Sequence, residues 1–125
     1  MKEFQKLSET EMEVMEVIWG LDHPVTSSEL LTIFSESKGK DWKGQTIATF
    51  LARLVDKGVL LAKKQGRANS YTPRLSPNGY KKWEAQSVLD VMYKGSVKNF
   101  LATLYDGENM SKEDISDLKK WFSEK

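Results

Sequence analysis

Residues 42–73 read WKGQTIATFLARLVDKGVLLAKKQGRANSYTP, and a change of periodicity inside this stretch decides the fold. In its first half Ile47, Phe50, Leu51, Leu54 and Val55 recur at i, i+3, i+4, i+7 and i+8, which lays one apolar stripe along an α-helix. The other face carries Gln45, Thr46, Thr49, Ala52, Arg53 and Asp56. On an ordinary helix such a face is simply solvated. Here the side chains are small or hydrogen-bonding with a single acid, which suits a helix that enters a major groove and offers donors and methyl groups to base edges. Lys43 and Gly44 open the helix and leave room for backbone N–H groups to approach a phosphate.

Lys57-Gly58 then supplies a cation for the helix C-terminus and a glycine suited to the stop. Val59–Lys64 and Ser70–Thr72 read as two strands around a loop, Gln65-Gly66-Arg67-Ala68-Asn69. Lys63, Lys64 and Arg67 crowd this hairpin with no acid near its tip. A purely structural hairpin rarely needs three cations, whereas a wing lying along a phosphate backbone does.

The charge distribution points the same way without any structure assumed. The chain is nearly balanced, with 19 basic and 18 acidic residues, which by itself selects no partner. Residues 38–74 hold Lys38, Lys40, Lys43, Arg53, Lys57, Lys63, Lys64, Arg67 and Arg74 against Asp41 and Asp56, a net of +7. Residues 1–37 hold Lys2 and Lys6 against Glu3, Glu9, Glu11, Glu13, Glu16, Asp22, Glu29 and Glu36, a net of −6, and the remainder balances at eight each. One segment attracts phosphate, and the acidic first helix is expected to turn its charges away from it.

Outward from that stretch, helix punctuation is legible. Ser8-Glu9-Thr10-Glu11 is a capping box with Leu7 and Met12 as its staple, and Met12, Met15, Ile18 and Trp19 continue as an apolar stripe, so helix 1 runs from about Ser8 to Trp19. Thr26-Ser27-Ser28-Glu29 is a second capping box before Leu30, Leu31 and Phe34, giving a helix to about Ser37. Helices 2 and 3 thus stand in helix-turn-helix order, joined by a connection of about six residues, longer than the compact form.

Past the wing, Ser76-Pro77 caps and starts a helix whose Tyr80, Trp83, Val88, Val91 and Met92 line one side to about Tyr93. Gly95-Ser96 closes it and caps another with Val97, Phe100, Leu101 and Leu104. Met110-Ser111 through Ile115 repeats the cap and staple before Leu118 and Phe122. The expected division is a winged-helix DNA-binding domain over 1–75 and a helical dimerisation domain over 76–125, the fold being mainly α with a small β-hairpin wing. Three short amphipathic helices with no evident core either wrap the first domain or meet a second copy. Palindromic recognition favours the second copy, with Trp83, Val88, Val97, Phe100, Leu101, Leu104, Leu118 and Phe122 as interface residues.

Other functional classes find little support. A length of 125 residues with 39% hydrophobic content suits one compact domain plus an appendage. Apolar runs fall far short of the roughly 20 residues that span a bilayer. Met1–Ser8 is polar and lacks a signal peptide's apolar region, which with the absence of cysteine fits the cytoplasm. Without cysteine there is no disulfide, thiolate cluster or redox switch, and no cofactor or metal is expected. His23, the single histidine, sits between Asp22 and Pro24 as a turn residue rather than a catalytic base. No glycine-rich phosphate loop or nucleophile elbow occurs. Trp42 alone among the four tryptophans stands at the recognition-helix entrance, where it either packs under the helix or offers its indole N–H to a phosphate.

A family resemblance rests on these residues. Trp42, Thr46-Ile47, Thr49, Leu51, Arg53-Leu54, Lys57-Gly58, Gly66-Arg67, Tyr71 and Pro73 resemble the penicillinase-repressor family, the BlaI/MecI group that also includes the copper-responsive CopY repressors. The opening LSETEMEVMEVIW and the segment YKGSVKNFLATL (Tyr93–Leu104) are similar to that family's first helix and dimerisation segment. The resemblance implies a homodimeric repressor whose recognition helices read inverted TACA/TGTA half-sites in double-stranded operator DNA. It implies base contacts by Gln45, Thr46 and Thr49, base or phosphate contacts by Arg53 and Lys43, and a backbone contact by Arg67, with Lys63 and Lys64 beside it in the wing. In β-lactam-responsive members, a membrane receptor's signal leads to cutting at an Asn-Phe bond, which Asn99-Phe100 matches in position and type. The plainer reading makes Phe100 an interface anchor and Asn99 an exposed helix residue. Thiolate copper sensing is excluded, since no cysteine is present. The rival readings are a winged helix docking an acidic protein and a ligand-responsive repressor of another winged-helix group.

Overall fold

Ser8 starts the first helix because its hydroxyl accepts the Glu11 N–H while the Glu11 carboxylate accepts the Ser8 N–H, satisfying two donors that a helix start leaves orphaned. In the computed structural model, which describes residues 5–125, this helix is α1 (Glu9–Trp19). Lys2 and Glu3 of the charge count, and the beginning of the Met1–Ser8 segment, lie outside the described residues. Then come α2 (Ser27–Ser37), α3 (Gly44–Asp56), the strands β1 (Leu60–Gln65) and β2 (Ala68–Pro73), α4 (Pro77–Tyr93), α5 (Val97–Asp106) and α6 (Lys112–Ser123). Three helices followed by an antiparallel hairpin make a winged helix.

The core is built from one stripe of each helix; on α1 it is shifted from the expected one, since Val14 is buried while Met12 and Trp19 are half-buried. Val14, Met15 and Ile18 of α1, Leu30 and Phe34 of α2, and Ile47, Leu51 and Leu54 of α3 are buried together with Val25, Val59, Leu60 and Tyr80. Phe50 and Val55, at the stripe's margins, are half-buried against them. Thr26 caps α2 as expected, accepting the Glu29 N–H at 3.2 Å, but the box is not reciprocal. The Glu29 carboxylate turns instead to His23 Nε2, 2.6 Å away, so the turn histidine competes successfully for the group that would have bonded the Thr26 N–H.

The end of α3 is fixed by backbone geometry. Gly58 adopts a φ of 87°, the Val59 N–H bonds the Leu54 carbonyl and the Gly58 N–H bonds the Val55 carbonyl, the paired bonds of a Schellman stop. Leu54 and Val59, both buried, close the motif with an apolar pair. Lys57, the cap residue, sends its ammonium to the buried Glu11 carboxylate and, at 3.1 Å, to the Lys6 carbonyl. The same turn accepts the Gln5 N–H at the Lys57 carbonyl. The C-terminus of α3 is therefore tied to the start of α1.

The hairpin is tighter than its sequence suggests. Gln65 pairs with Ala68 and Lys64 with Asn69, so Ala68 and Asn69 belong to β2 and only Gly66 and Arg67 form the turn. Gly66, at a φ of 61°, occupies the first central position that a two-residue turn of the II′ kind reserves for glycine. At the base, Val25 and Tyr71 exchange two backbone bonds of 3.0 and 2.8 Å, which pins β2 to the segment before α2.

Two compact units divide within α4, the first ending at Trp83 and the second beginning at Glu84. The first unit continues beyond residue 75 because Tyr80 is a core residue: its hydroxyl accepts the Leu7 N–H at 3.0 Å and its ring meets Trp19 and Trp83. The Trp19 indole donates to the Leu75 carbonyl at 3.0 Å. In the second unit, Ser96 and Ser111 cap α5 and α6 through their hydroxyls. Lys94 and Gly95, at φ of 50° and 80°, make the turn between α4 and α5.

Burial opposes the charge on Glu11, but the Lys57 and Ser8 hydrogen bonds and the Lys57 charge prevail and hold its carboxyl below the ordinary value. Its contribution to stability is then complete above the unfolded-state value and is lost as pH falls through the folded one. Glu11→Gln is expected to lower stability at neutral pH by about 1–3 kcal/mol. In thermal melts the gap from the parent should close as the solution is taken below the carboxylate range. A gap constant down to strong acid would show that the charge is not what stabilises this joint.

Candidate nucleic-acid interface

Because α3 buries Ile47, Leu51 and Leu54, its opposite side must face outward, and there Gln45, Thr49, Ala52, Arg53 and Asp56 are exposed with Thr46 partly so. The polar face and the core stripe thus stay on opposite sides over the whole helix. The Thr49 hydroxyl donates to the Gln45 carbonyl at 2.9 Å, which commits its proton to the helix and leaves its methyl and oxygen lone pairs for an incoming group. Thr49 can therefore accept from a base or touch a thymine methyl, but it is not a ready donor.

The start of α3 is open. Ser8, Thr26, Ser96 and Ser111 cap their helices with a hydroxyl, whereas Lys43 makes no side-chain cap bond and the first turn of α3 has no acid. Apart from its chain neighbours and its own helix backbone, no atom of the described residues lies within 4 Å of where a Gly44 side chain would begin. The positive end of the helix dipole is thus neither capped nor neutralised, with Lys43 adding a full charge beside it. Trp42, immediately before, lies between Phe34 and Phe50, its ring 4.7 and 5.3 Å from theirs. Of the two roles open to it, packing under the helix is the one displayed.

The wing cations are arranged by strand geometry. Lys63 and Lys64 are neighbours in β1, so they point to opposite faces of the ribbon, Lys63 across from Ser70 and Lys64 across from Asn69. Arg67 stands in the turn at the tip, and all three are exposed. The face of Lys64 also carries Tyr71, which packs against the core at the wing's base. This alternation follows from the strand period of two, so the cations do not form one cluster. Two cations in the basic segment serve the fold instead: Lys57 bonds Glu11, and the Arg74 guanidinium donates to the Gly58 carbonyl at 3.0 Å.

The expected interface residues of the second unit are distributed less evenly. Val88, Val97 and Phe122 are exposed, and Phe100, Leu101, Leu104 and Leu118 are half-buried. Leu101, Leu104 and Leu118 line a groove of about 510 Å³ between α5 and α6 with Met110 and Trp121. Val91, Met92 and Trp121, absent from the expected interface set, are 78%, 69% and 51% exposed, more than most residues in it. Their signal was present as stripe positions on α4 and α6. Trp83 packs on the first unit's core, its ring 5.7 Å from that of Tyr80. Asn99-Phe100 falls in the first turn of α5: the Asn99 N–H bonds the Ser96 hydroxyl, and the Phe100 ring meets Tyr93 edge-on at 5.3 Å. His23 is an exposed turn residue whose ring is raised in pKa by its bonds to Glu29 and Asp22. Among the described residues no cluster of metal-ligating side chains occurs, and no helix is long and apolar enough to cross a membrane.

Comparison with known proteins agrees with this geometry. The profile of the family described as "Penicillinase repressor" matches residues 7–124. The penicillinase repressor of Bacillus licheniformis is 32% identical over 118 residues, 94% of this chain and 90% of that protein. The methicillin resistance regulatory protein MecI of Staphylococcus aureus (strain N315) is 25% identical over 120 residues, 96% of this chain and 95% of its own length. The solution structure of the DNA-binding domain of the repressor BlaI superposes with a TM-score of 0.55 at 38% identity, covering 64% of this chain and 94% of that one. The monomeric form of Bacillus licheniformis BlaI in complex with the blaP half-operator superposes with a TM-score of 0.50 at 36% identity, over the same shares. A winged helix with an open polar α3, matched in sequence over nearly its whole length, places this chain in the penicillinase repressor family.

Proposed function

We propose that this DNA-binding repressor acts as a homodimer on an inverted-repeat operator, each protomer setting the outer face of α3 in a major groove and its wing along the flanking backbone. The observation that carries the reading is the outer face of α3, with Gln45, Thr46, Thr49 and Arg53 opposite the buried Ile47, Leu51 and Leu54, and a start at Lys43 that has no side-chain cap. Its likeness to a domain solved on a half-operator supports it. Gln45, Thr46 and Thr49 read base edges, Lys43 and Arg53 contact bases or nearby phosphates, and Lys63, Lys64 and Arg67 hold the backbone and fix the register. With Lys63 and Lys64 on opposite ribbon faces, a wing lying edge-on in a groove presents one cation to each backbone.

The second unit supplies the dimer contact, through Val88, Val97, Phe100, Leu101, Leu104, Leu118 and Phe122, with Val91, Met92 and Trp121 added. A cytoplasmic protease or receptor pathway that cuts at Asn99-Phe100 releases the operator by separating α6 and most of α5 from the rest, which costs dimer affinity.

Three outcomes are expected. In titrations of operator-type and scrambled duplexes, Thr46→Ala and Thr49→Ala should each weaken operator binding by about 1–3 kcal/mol and narrow the preference between the duplexes. Lys64→Ala should lower affinity on both alike and reduce the salt slope by about one per protomer bound. If neither class of variant changes binding, α3 does not face the DNA in this way. Leu104→Asp, which puts a charge in the α5–α6 groove, should shift sedimentation from dimer towards monomer and replace two-chain binding on a double half-site by single-chain binding. A variant that sediments as the parent does would remove these helices from the interface.

A further inference from the structure

The connection between α2 and α3 carries Lys38, Lys40 and Lys43, of which the recognition surface above uses only Lys43. This connection is held in place. The Phe34 carbonyl accepts the N–H of Lys38 at 3.2 Å and of Lys40 at 3.0 Å, with Gly39 between them at a φ of 64°. Trp42 then folds back between Phe34 and Phe50. The Lys40 ammonium lies over the Trp42 ring, 5.7 Å from its centroid and within cation–π range. Lys40 is half-buried where Lys38 and Lys43 are exposed, and among the described residues no carboxylate pairs with it.

Phe50 locates this cation relative to the reading face. Residues three and four apart are neighbours on a helix surface, so Phe50 lies beside Thr46 and Arg53. A ring packed on Phe50 therefore borders the reading face along its Thr46–Arg53 edge, and a cation on that ring stands beside the groove rather than within it. We propose that Lys40, held over Trp42, is a further contact to a backbone phosphate of the bound DNA, and that Trp42 is its positioning residue. The assignment rests on the reading that α3 faces DNA. An ammonium already resting on an indole has given up part of its rotamer freedom, so less entropy is lost when a phosphate engages it. Such a contact reads no base; it adds affinity on every sequence and contributes to salt dependence.

The test uses the full chain and two duplexes, one with inverted TACA/TGTA half-sites and one scrambled, titrated at about 50 and about 200 mM salt. Lys40→Ala should reduce the slope of log affinity against log salt by about one per protomer bound, shrinking the affinity ratio between the two salts by about three-fold per protomer. The preference for the half-site duplex should be unchanged, as should the thermal melt. Trp42→Phe should retain the slope, while Trp42→Leu should lose as much as Lys40→Ala and add nothing on top of it. An unchanged slope in Lys40→Ala, with the parent still preferring the half-site duplex, overturns the contact and leaves the operator reading standing. Equal losses from Trp42→Leu with and without Lys40 overturn the positioning role. A parent without any preference overturns the operator reading and this contact together.

Discussion

Ile47, Leu51 and Leu54 are kept out of water by packing α3 on α1, α2 and β1, and this burial orients everything on the helix's outer side. Each such side chain contributes about 1.5–3 kcal/mol when fully buried, so rotating α3 enough to hide Thr46 or Thr49 would expose a comparable apolar stripe. The polar face is thus held outward by burial of the stripe opposite it. The hydrogen bond from the Thr49 hydroxyl to the Gln45 carbonyl stays within the helix.

The two ends of α3 are treated oppositely, and the difference is electrostatic. At the C-terminus, where the helix dipole is negative, Lys57 neutralises it while also pairing with Glu11 and the Lys6 carbonyl. At the N-terminus the first turn holds no acid, and Lys43 is the cap residue with no side-chain bond to the open amides. A helix optimised only for stability would carry a capping hydroxyl and an early carboxylate, as α1 and α6 do. The first turns of α4 and α5 also lack an acid but keep a serine hydroxyl cap; α3 has neither, which leaves its positive end open to an anion.

Most of the fold was legible because its signals are local. The Ser8 and Ser111 caps, the Gly58 stop and the α3 stripe each lie within a few residues of one another, and all stand where their spacing put them. What the sequence hid depends on which partner a group meets in the folded chain, whether near or distant in sequence. Nothing near Glu29 announced that it would leave its box for His23, six residues back. Tyr80 was read as part of the second domain's stripe, yet the Leu7 amide, 73 residues away, draws it into the first unit's core and takes Trp83 with it. The loop Gln65–Asn69 looked longer than it is because Ala68 and Asn69 have poor strand signals of their own, and only pairing with Gln65 and Lys64 makes them strand. Trp42 was undecided for the same reason, since Phe34 and Phe50 come from two helices.

The second unit poses a thermodynamic problem that the first does not. From Glu84 onward no residue is fully buried, although Leu101, Leu104, Leu118, Val91, Met92, Trp121 and Phe122 all carry large apolar surface. Short isolated helices are marginal in water, so capping at Ser96 and Ser111 alone does not account for their order. Formal charges over residues 75–125 balance at eight each, which gives a partner little electrostatic attraction to exploit. The remaining driving force is apolar burial, and a surface of this kind is satisfied by an equally apolar one. A second copy offers such a surface by construction, and it brings a second α3 with it. That is why the homodimer proposed for operator binding also answers the question of what these helices are for.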